Sequence, residues 1–261
     1  MNYKVLAEIV KKEKIIENVY KFSIKSKEIA EQAKPGQFLE IKVSEAQEPF
    51  LRRPISIFNI DKKNGIVEFI FMIRGKGTKI LSKREVGEKL NILGPLGEGT
   101  FTIKEYKNVS IIGGGIGIYP LYELAKQLKE KNVNVTTYLG FRNKDFVELE
   151  DEFNKVSNTL VVSTDDGSYA KKGFGINFLK EDSIKVKPDA IFACGPLNML
   201  KTVKSFADEN NIYVEISLEE RMACGIGACL GCAVKVNKNQ EEKFLHVCKN
   251  GPVFDAKIVE I

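Results

Sequence analysis

The sequence predicts an α+β and α/β multidomain protein in which an antiparallel β-barrel precedes a parallel, doubly wound sheet. Short strand-like segments separated by turn residues fill roughly the first hundred residues. From about residue 105, strand and helix patterns alternate instead. A cysteine-rich stretch from Arg221 onward predicts a third, small module at the C-terminus. The expected domains are residues 1–102, 103–220 and 221–261.

The predicted barrel contains six strand-like segments, one of which, LRRPISIFNI, also carries a binding motif. YKVLAEIVKKEKI and VYKFSIKS alternate or run apolar at strand length, and KPGQFLEIKV begins a strand after a Pro-Gly turn. GIVEFIFMI and KLNILGPLG continue the pattern. Short strands with turn signals at this spacing are typical of a small antiparallel barrel.

The predicted parallel sheet follows from alternating strands and helices. The strands are NVSIIGGG, NVNVTTYLG, TLVVST, DAIFACG and IYVEISLEE, and the helices are PLYELAKQLKEKN and PLNMLKTVKSFADEN. Parallel strands need crossover connections, which these helices supply.

Composition limits the possible functions. The chain has 261 residues, 43% of them hydrophobic, which is enough for two packed domains. Its 40 basic and 35 acidic residues are spread along the chain without a basic block, so a nucleic-acid partner is not expected. The N-terminus lacks the apolar core of a signal peptide, and no run approaches the roughly 20 apolar residues of a membrane span. We therefore expect no membrane association and a cytoplasmic location, where thiols stay reduced.

Four of the five cysteines form the most specific motif. Cys224, Cys229, Cys232 and Cys248 read C-x4-C-x2-C, with the fourth after fifteen further residues. This is the plant-type ligand spacing of a 2Fe–2S cluster. Interspersed glycines would let backbone N–H groups approach the sulfurs closely, and these glycines are Gly225, Gly227 and Gly231. The alternative is a structural zinc ion completed by Cys248 or by His246, the only histidine.

A glycine-rich turn predicts a dinucleotide site. IIGGGIGIYPLYEL reads as a strand, a turn and a helix start, with Pro120 where the third glycine of G-x-G-x-x-G belongs. Such a turn offers backbone donors to a pyrophosphate, although glycine turns also serve packing. In FACGPLNML, Cys194 lies at the end of a later strand, the edge where ligands bind such sheets, or it is a buried structural thiol.

A third motif lies in the barrel. In LRRPISIFNI, Arg53 and Ser56 belong to an R-P-x-S pattern, and we expect the guanidinium and the hydroxyl on one face, holding a pyrophosphate and reaching a flavin nitrogen. Gly77 and Thr78 of RGKGTKIL predict a phosphate-binding turn. Taken alone, an Arg and a Ser on a barrel strand are more often scaffold than flavin contacts.

The three motifs together indicate a redox chain. A nicotinamide delivers two electrons as hydride, whereas a 2Fe–2S cluster accepts one at a time, and a flavin connects the two. With its barrel, Rossmann-like domain and cluster module, the chain resembles the ferredoxin–NADP reductase superfamily over its first 220 residues. LEERMACGIGACLGC and HVCKNGPVFDA are similar to electron-transfer subunits of dihydroorotate dehydrogenase B, and this resemblance covers essentially the whole chain.

The resemblance implies three groups of site residues. The sequence itself shows no constellation typical of a catalytic base. The implied FAD contacts are Arg53, Pro54, Ile55, Ser56, Ile70, Phe71, Met72, Gly77 and Thr78. The implied NAD contacts are Gly115, Gly117, Cys194, Gly195 and Pro196. The implied cluster ligands are Cys224, Cys229, Cys232 and Cys248. Members of the superfamily often have an aromatic residue followed by Arg near Met72, whereas here the arginine is Arg74.

The resemblance also implies a function. Electrons would pass from the FMN of a separate catalytic subunit through the cluster and FAD to NAD⁺, during oxidation of dihydroorotate to orotate in pyrimidine (UMP) biosynthesis. The complex would contain two copies of each chain. The alternatives are an NAD(P)H–ferredoxin or sulfur-substrate oxidoreductase subunit and a zinc-stabilised nucleotide-binding regulatory protein. NAD and NADP remain open, because Arg142 and Lys144 could meet a 2′-phosphate, and the STDDGS stretch (163–168) is expected to border the same cleft.

Overall fold

The computed structural model describes residues 3–44, 48–238 and 241–261, and the chain divides into two compact units. The first unit comprises the chain up to Thr100 together with 219–234 and 244–252. The second comprises 101–218, 235–243 and 253–261. The segment after Leu218 therefore contributes to both units. The division into three domains, one for each expected cofactor, stays a prediction.

The first unit is built on a closed antiparallel barrel, which confirms the predicted architecture. The strands pair in the order β1-β2-β5-β4-β3-β6. Their bounds are β1 (Tyr3–Ile16), β2 (Val19–Lys25), β3 (Phe38–Lys42), β4 (Arg53–Asp61), β5 (Ile66–Met72) and β6 (Lys89–Leu96). Two short helices, α1 (Lys27–Gln32) and α2 (Lys76–Leu81), follow β2 and β5. Closure pairs every strand on both sides and leaves no open sheet edge.

The barrel interior is filled by apolar side chains from alternate strand positions. Phe22 lies at its centre, with its ring centroid 5.7 Å from that of Phe69 and 5.3 Å from that of Phe71. Leu39 and Ile41 from β3 are fully buried in the same cluster. Because strand side chains alternate between faces, the residues between these core positions lie on the outside of the barrel.

The second unit contains a seven-stranded sheet in the order β10-β9-β8-β7-β11-β12-β15. All neighbours pair in parallel except β15, which is antiparallel to β12. The strands are β7 (Asn108–Gly114), β8 (Asn134–Phe141), β9 (Thr159–Thr164), β10 (Lys171–Lys172), β11 (Ala190–Cys194), β12 (Tyr213–Ser217) and β15 (Val253–Asp255). A separate strand pair comprises β13 (Ala233–Lys238) and β14 (Glu241–His246).

Helices connect the parallel strands as expected for a doubly wound sheet. They are α3 (Tyr122–Glu130), α4 (Glu150–Val156), α5 (Gly175–Lys185) and α6 (Leu197–Asn210), and α7 (Val247–Asn250) follows β14. The sequence patterns identified α3 and α6 but not α4 or α5. The strand order reverses direction between β7 and β11, which creates a crevice at their carboxyl ends. Among the described residues, no helix combines the length and apolar character needed to cross a bilayer.

A buried tyrosine–glutamate pair joins two loops at the carboxyl edge of this sheet. The Tyr119 hydroxyl, in the 3₁₀ turn after β7, donates a hydrogen bond of 2.7 Å to Oε1 of Glu148, in the loop after β8. The other carboxylate oxygen of Glu148 has no hydrogen-bond partner among the described residues. Burial raises the pKa of Glu148 to about 7, and the tyrosine bond only partly opposes this shift.

This pair predicts a pH dependence of stability. The folded pKa of Glu148 lies above its ordinary value of 4.5, so the folded state retains a proton that the unfolded chain releases between those two values. The free energy of unfolding should therefore fall as the pH rises from 4.5 to 7, by up to about 3 kcal/mol from this group. Glu148→Gln should remove this component, and urea titrations at pH 5 and pH 8 would measure it.

The exposed Glu130, at the end of α3, supplies the matched control. Glu130→Gln should keep the wild-type dependence on pH. An equally steep loss of stability in Glu148→Gln would show that other groups cause it.

Candidate functional site

The register of β3 against β4 determines which side chains of the R-P-x-S motif face outward. Phe38 pairs with Ser56 and Glu40 with Pro54, whereas Ile41 pairs with Arg53. Cross-strand partners share a face, and Ile41 points into the core. Ser56 therefore lies on the outer face of the barrel and Arg53 on the other face. The expectation that both share one face is wrong, because residues three apart on a strand point in opposite directions.

Arg53 nevertheless reaches the turn at Gly77, which the sequence predicts to bind phosphate, because Arg53 lies at the very start of β4. Its guanidinium lies directly on the backbone of Gly77, where an added Cβ would be 2.9 Å from the Arg53 Cζ atom. Gly77 belongs to the first turn of α2, whose amides have no partner within the helix. A cation and free amides at one point suit a pyrophosphate, so these residues fit the FAD that the sequence predicts.

The other expected FAD contacts differ in how they can act. The Thr78 hydroxyl closes the turn before α2, accepting hydrogen bonds from the Arg74 and Gly75 amides at 2.9 and 3.2 Å. The Phe71 ring belongs to the barrel core, so only its backbone is free to contact a cofactor. Met72, at the end of β5, is half-buried and pairs with Val19. None of these positions is tested as an FAD contact, and they stay predictions.

The four cysteines of the C-terminal motif converge around a loop without regular secondary structure. Backbone amides of Ile226, Ala228 and Cys229 donate to the Cys224 sulfur at 3.3–3.5 Å. The Gly227 amide donates to the Cys248 sulfur at 3.1 Å, and the Cys248 amide donates to the Cys232 sulfur at 3.4 Å.

These hydrogen bonds change the acidity of Cys224, the first cysteine of the motif. Burial raises the pKa of the Cys224 thiol, but the amide hydrogen bonds outweigh burial and lower it to about 6. Burial and the neighbouring Cys232 sulfur, 3.2 Å away, raise the pKa of Cys248. All four thiols are free of disulfides. Soft sulfur donors surrounded by amide N–H groups fit a 2Fe–2S cluster.

Glycine is required at two positions of this loop. Gly225 and Gly227 have φ values of +70° and +81°, in the left-handed region that favours glycine. An added Cβ at Gly225 would lie 2.6 Å from Cγ of Glu40, and one at Gly227 would lie 2.8 Å from Cδ of Lys249. The loop therefore passes directly against β3 and against the helix that carries Cys248.

The zinc alternative calls for three or four ligands around one ion. Among the described residues, no group of three or more His, Cys, Asp and Glu side chains could hold a metal ion as it stands, and this includes the four motif cysteines, so the finding does not decide between zinc and the cluster. The backbone amide of His246 donates to Asn250 at 2.9 Å.

Glu40 is a site feature that the sequence did not reveal. It is 1% exposed, and neither carboxylate oxygen has a hydrogen-bond partner among the described residues. Burial raises its pKa to about 7, with Arg52 opposing and Cys224 reinforcing the shift. In the sequence Glu40 occupies an outward strand position, which normally indicates a solvated side chain. Only the return of the cluster loop, almost two hundred residues later, covers it.

The glycine turn of the second unit lies at the crevice between β7 and β11. Gly115 has φ of +53°, and an added Cβ there would meet nothing within 4 Å. An added Cβ at Gly117 would instead lie 2.6 Å from the Cys194 carbonyl carbon and from the Gly195 Cα. Gly115 thus borders open space, whereas Gly117 packs against the end of β11.

The structure brings the five expected NAD residues together at this one edge. Cys194 is buried at the end of β11, and Pro196 precedes the first turn of α6. An added Cβ at Gly195 would lie 2.9 Å from the Gly114 amide nitrogen. The turn after β7 and the Cys-Gly-Pro segment therefore line the same crevice, where such sheets bind ligands.

Family models match both cofactor regions. The model for the "Oxidoreductase FAD-binding domain" matches residues 6–101. The model for the "Iron-sulfur cluster binding domain of dihydroorotate dehydrogenase B" matches residues 219–260. The second match contains all four cysteines of the motif.

Solved structures share the fold. A structure described as an "NADH-dependent reduced ferredoxin-NADP oxidoreductase" superposes with a TM-score of 0.85 at 34% identity, covering 100% of this chain and 91% of that one. The FAD/NAD binding domain of a nitric oxide dioxygenase from Vibrio cholerae superposes with a TM-score of 0.69 at 17% identity, over 83% of this chain and 99% of that one. The latter likeness shows the fold alone.

Curated relatives extend over nearly the whole chain. Proteins from Lysinibacillus sphaericus and Bacillus pumilus are 41% and 40% identical over 255 residues, covering 97% of this chain and 97% and 96% of their own lengths. A protein from Fusobacterium nucleatum is 41% identical over 251 residues, covering 95% of both chains. Each carries the name "Dihydroorotate dehydrogenase B (NAD(+)), electron transfer subunit". With its barrel, glycine turn and four-cysteine loop, the chain belongs to this family of electron transfer subunits.

Proposed function

We propose that this chain relays electrons from a separate catalytic subunit, through a 2Fe–2S cluster and FAD, to NAD⁺ during the oxidation of dihydroorotate to orotate. The observation that carries this proposal is the position of the cysteine loop within the barrel unit. Gly225, next to Cys224, packs against Glu40 of β3, and Glu40 pairs directly with Pro54 of the strand expected to bind the flavin. One β-strand thus links the two expected redox sites.

Bound FAD would exchange a hydride with the nicotinamide and single electrons with the cluster. The residues of this chain hold and orient the reacting groups. Arg53 and the first turn of α2 bind the pyrophosphate, and the Ser56 hydroxyl faces the flavin from the outer side of the barrel. The amides of the cysteine loop stabilise negative charge on sulfur, and the turn at Gly115 receives the dinucleotide.

The surface around the cysteine loop is the proposed docking site for the catalytic subunit. Cys229 is exposed, and it is flanked by Ile226 and Leu230, which are 49% and 61% exposed. Apolar side chains beside a redox centre suit an interface that excludes water around the electron path. We propose that this partner contains FMN, that the complex holds two copies of each chain, and that it works in the cytoplasm, where thiols stay reduced.

A second candidate is an NAD(P)H–ferredoxin oxidoreductase subunit. The observation that favours it is the 34% identity to the NADH-dependent reduced ferredoxin-NADP oxidoreductase structure. Co-expression with a candidate FMN subunit, followed by a dihydroorotate-dependent assay of NAD⁺ reduction, separates the two functions. Co-purification with dihydroorotate-dependent activity supports the relay. Ferredoxin-dependent turnover without dihydroorotate-dependent activity supports the ferredoxin oxidoreductase. A colourless protein that contains zinc would support the zinc-stabilised regulatory protein.

Cys229→Ser should remove the cluster while leaving the flavin and nicotinamide reactions in place. A hard hydroxyl is a poor ligand for iron in place of a soft thiolate. We expect loss of the EPR signal of the reduced cluster and collapse of dihydroorotate-dependent NAD⁺ reduction in the complex. Reduction of an artificial dye by NADH should continue, since this reaction needs only FAD.

The matched control is Cys194→Ser, which changes the one cysteine outside the motif. It should retain the EPR signal and the iron content. Survival of both activities in a cluster-free Cys229→Ser complex would refute the relay, and joint loss of FAD and cluster would assign the loop a structural role.

Ser56→Ala should slow flavin reduction by NADH without loss of FAD. One hydrogen bond contributes about 1 kcal/mol, so the rate should fall by less than tenfold. Stopped-flow measurement of flavin bleaching gives the rate directly. Ser205→Ala, on an exposed position of α6, should react at the wild-type rate. An unchanged rate in Ser56→Ala would remove this residue from the flavin site.

Two glycine substitutions should separate nucleotide binding from packing. Asparagine tolerates left-handed backbone, so Gly115→Asn should add a side chain to the open crevice and weaken NADH binding by about tenfold. Gly117→Val should instead force the turn away from Cys194 and Gly195, so both NADH binding and thermal stability should fall. The Kd for NADH and the Tm of each variant test this contrast. Wild-type NADH affinity in Gly115→Asn would mean that the dinucleotide binds elsewhere.

A further inference from the structure

The glycine turn after β7 is held on two sides. Its 3₁₀ segment comprises residues Gly115–Leu121. On the side of β11 it packs backbone against backbone, because an added Cβ at Gly117 would lie 2.6 Å from the Cys194 carbonyl carbon. On the side of β8 it is held by the side-chain hydrogen bond from the Tyr119 hydroxyl to Oε1 of Glu148, at 2.7 Å. The position of the turn therefore depends on this pair.

Both partners of the bond are buried. Tyr119 is 4% exposed and Glu148 is 6% exposed. A hydrogen bond in a low-dielectric interior is stronger than one in water, and neither partner can exchange it for water unless the two loops separate. The bond thus fixes the glycine turn relative to the loop after β8.

Glu148 is itself anchored, so it can hold the turn in place. It precedes Leu149, whose backbone is left-handed with φ of +58°, and α4 begins directly after that residue. Within α4, Phe153 is fully buried, and its ring meets that of Tyr122 in α3 edge to face with centroids 5.6 Å apart. The packed helix supports Glu148, and Glu148 transmits that support to the glycine turn.

The second oxygen of Glu148 makes this support sensitive to pH. Oε2 is buried and has no hydrogen-bond partner within the described part of the chain. Burial raises the pKa of Glu148, and Tyr119 is the one described side chain that opposes the shift. An ionised Glu148 would be a buried charge with a single donor, so the two loops must separate to hydrate it.

No other charged side chain of the adjoining segments takes part, as far as the described residues go. Glu123 of α3 is paired with Lys126 at 2.7 Å. The charged residues of the loop before Glu148 and of the first turn of α4 are at least partly exposed to solvent, and they are Arg142, Lys144, Asp145, Glu150, Asp151 and Glu152.

We propose that Glu148 is a positioning residue, which holds Tyr119 and thereby keeps the turn at Gly115 in the conformation that receives the dinucleotide. The proposal deepens the function proposed above and rests on the nucleotide site assigned there. The amides of this turn are the donors proposed for the pyrophosphate, and a turn that moves away from β11 would present them poorly.

Tyr119→Phe tests the bond with little change in packing, because it removes the hydroxyl and keeps the ring. We expect the Kd for NAD⁺, measured by calorimetry on the FAD-loaded protein at pH 6, to rise about fivefold. The KM for NADH in dye reduction should rise by a similar factor while kcat changes by about twofold or less, because the pair positions the dinucleotide and takes no part in hydride transfer. The FAD content and the EPR signal of the reduced cluster should stay at wild-type values.

The pH dependence gives a second readout. Neutral Glu148, and with it the closed turn, is present at low pH and is lost as the pH rises through about 7. The wild-type Kd for NAD⁺ should therefore rise about fivefold between pH 6 and pH 8.5. Glu148→Gln keeps an acceptor for Tyr119 and cannot ionise, so it should bind NAD⁺ at pH 8.5 as tightly as at pH 6.

Tyr213→Phe is the matched control. Its hydroxyl donates a hydrogen bond of the same length, 2.7 Å, to Glu215, but Tyr213 begins β12 and lies at the amino edge of the sheet, opposite the crevice. This variant should lower the Tm as Tyr119→Phe does, without changing the Kd for NAD⁺ or its dependence on pH.

Four outcomes would overturn the proposal. An unchanged Kd for NAD⁺ in Tyr119→Phe, with a lower Tm, would assign the pair to stability alone and leave the proposed function intact. An equal rise in Tyr213→Phe would attribute weaker binding to a general loss of stability. A wild-type pH dependence in Glu148→Gln would exclude Glu148 as its source. Wild-type protein that holds FAD but binds no NAD⁺ would remove the proposed function and this inference together.

Discussion

The stabilisation of sulfur by backbone amides is the constraint on which the cysteine loop depends. Cysteine thiolates that hold iron carry negative charge, and burying that charge without donors would be costly. The loop supplies donors by curling so that its own amides point inward, three of them at Cys224. This curl needs left-handed backbone at Gly225 and Gly227, and it needs neighbours that approach without a Cβ between them.

The same loop must be held against the barrel, and one turn after β6 does much of this. The Glu98 amide donates to the Lys249 carbonyl at 2.8 Å, and the Gly99 amide donates to the Gly251 carbonyl at 3.0 Å. On the other side, the Val247 amide donates to the Cys232 carbonyl at 3.0 Å. Cys248 is thus fixed from the barrel and from the loop at once, which keeps the distant fourth cysteine beside the other three.

The local parts of this site could be predicted from the sequence, because their signals are local. Three of the four motif cysteines lie within nine consecutive residues, the turn after β7 is a similarly short segment, and strand alternation marked the barrel. The predictions that were wrong, and the features that the sequence did not reveal, depend on strand register or on packing between segments far apart in the sequence. Arg53 and Ser56 belong to one motif but to opposite faces. Gly115 and Gly117 look equivalent, yet only the second packs against β11. Glu40 reads as a surface residue until the loop covers it.

The barrel unit is discontinuous in sequence, since its cysteine loop is separated from its six strands by the whole of residues 101–218. Contacts between segments so far apart in the sequence form slowly in folding. During synthesis on the ribosome they also require the chain to have emerged beyond the cysteine loop. The barrel therefore becomes a complete relay only after the second unit has been synthesised. Chains that terminate before Arg221 would retain the barrel strands but lack all four cysteines of the motif. Assembly of the expected cluster would therefore follow synthesis of the second unit, and incomplete chains would carry no exposed redox centre.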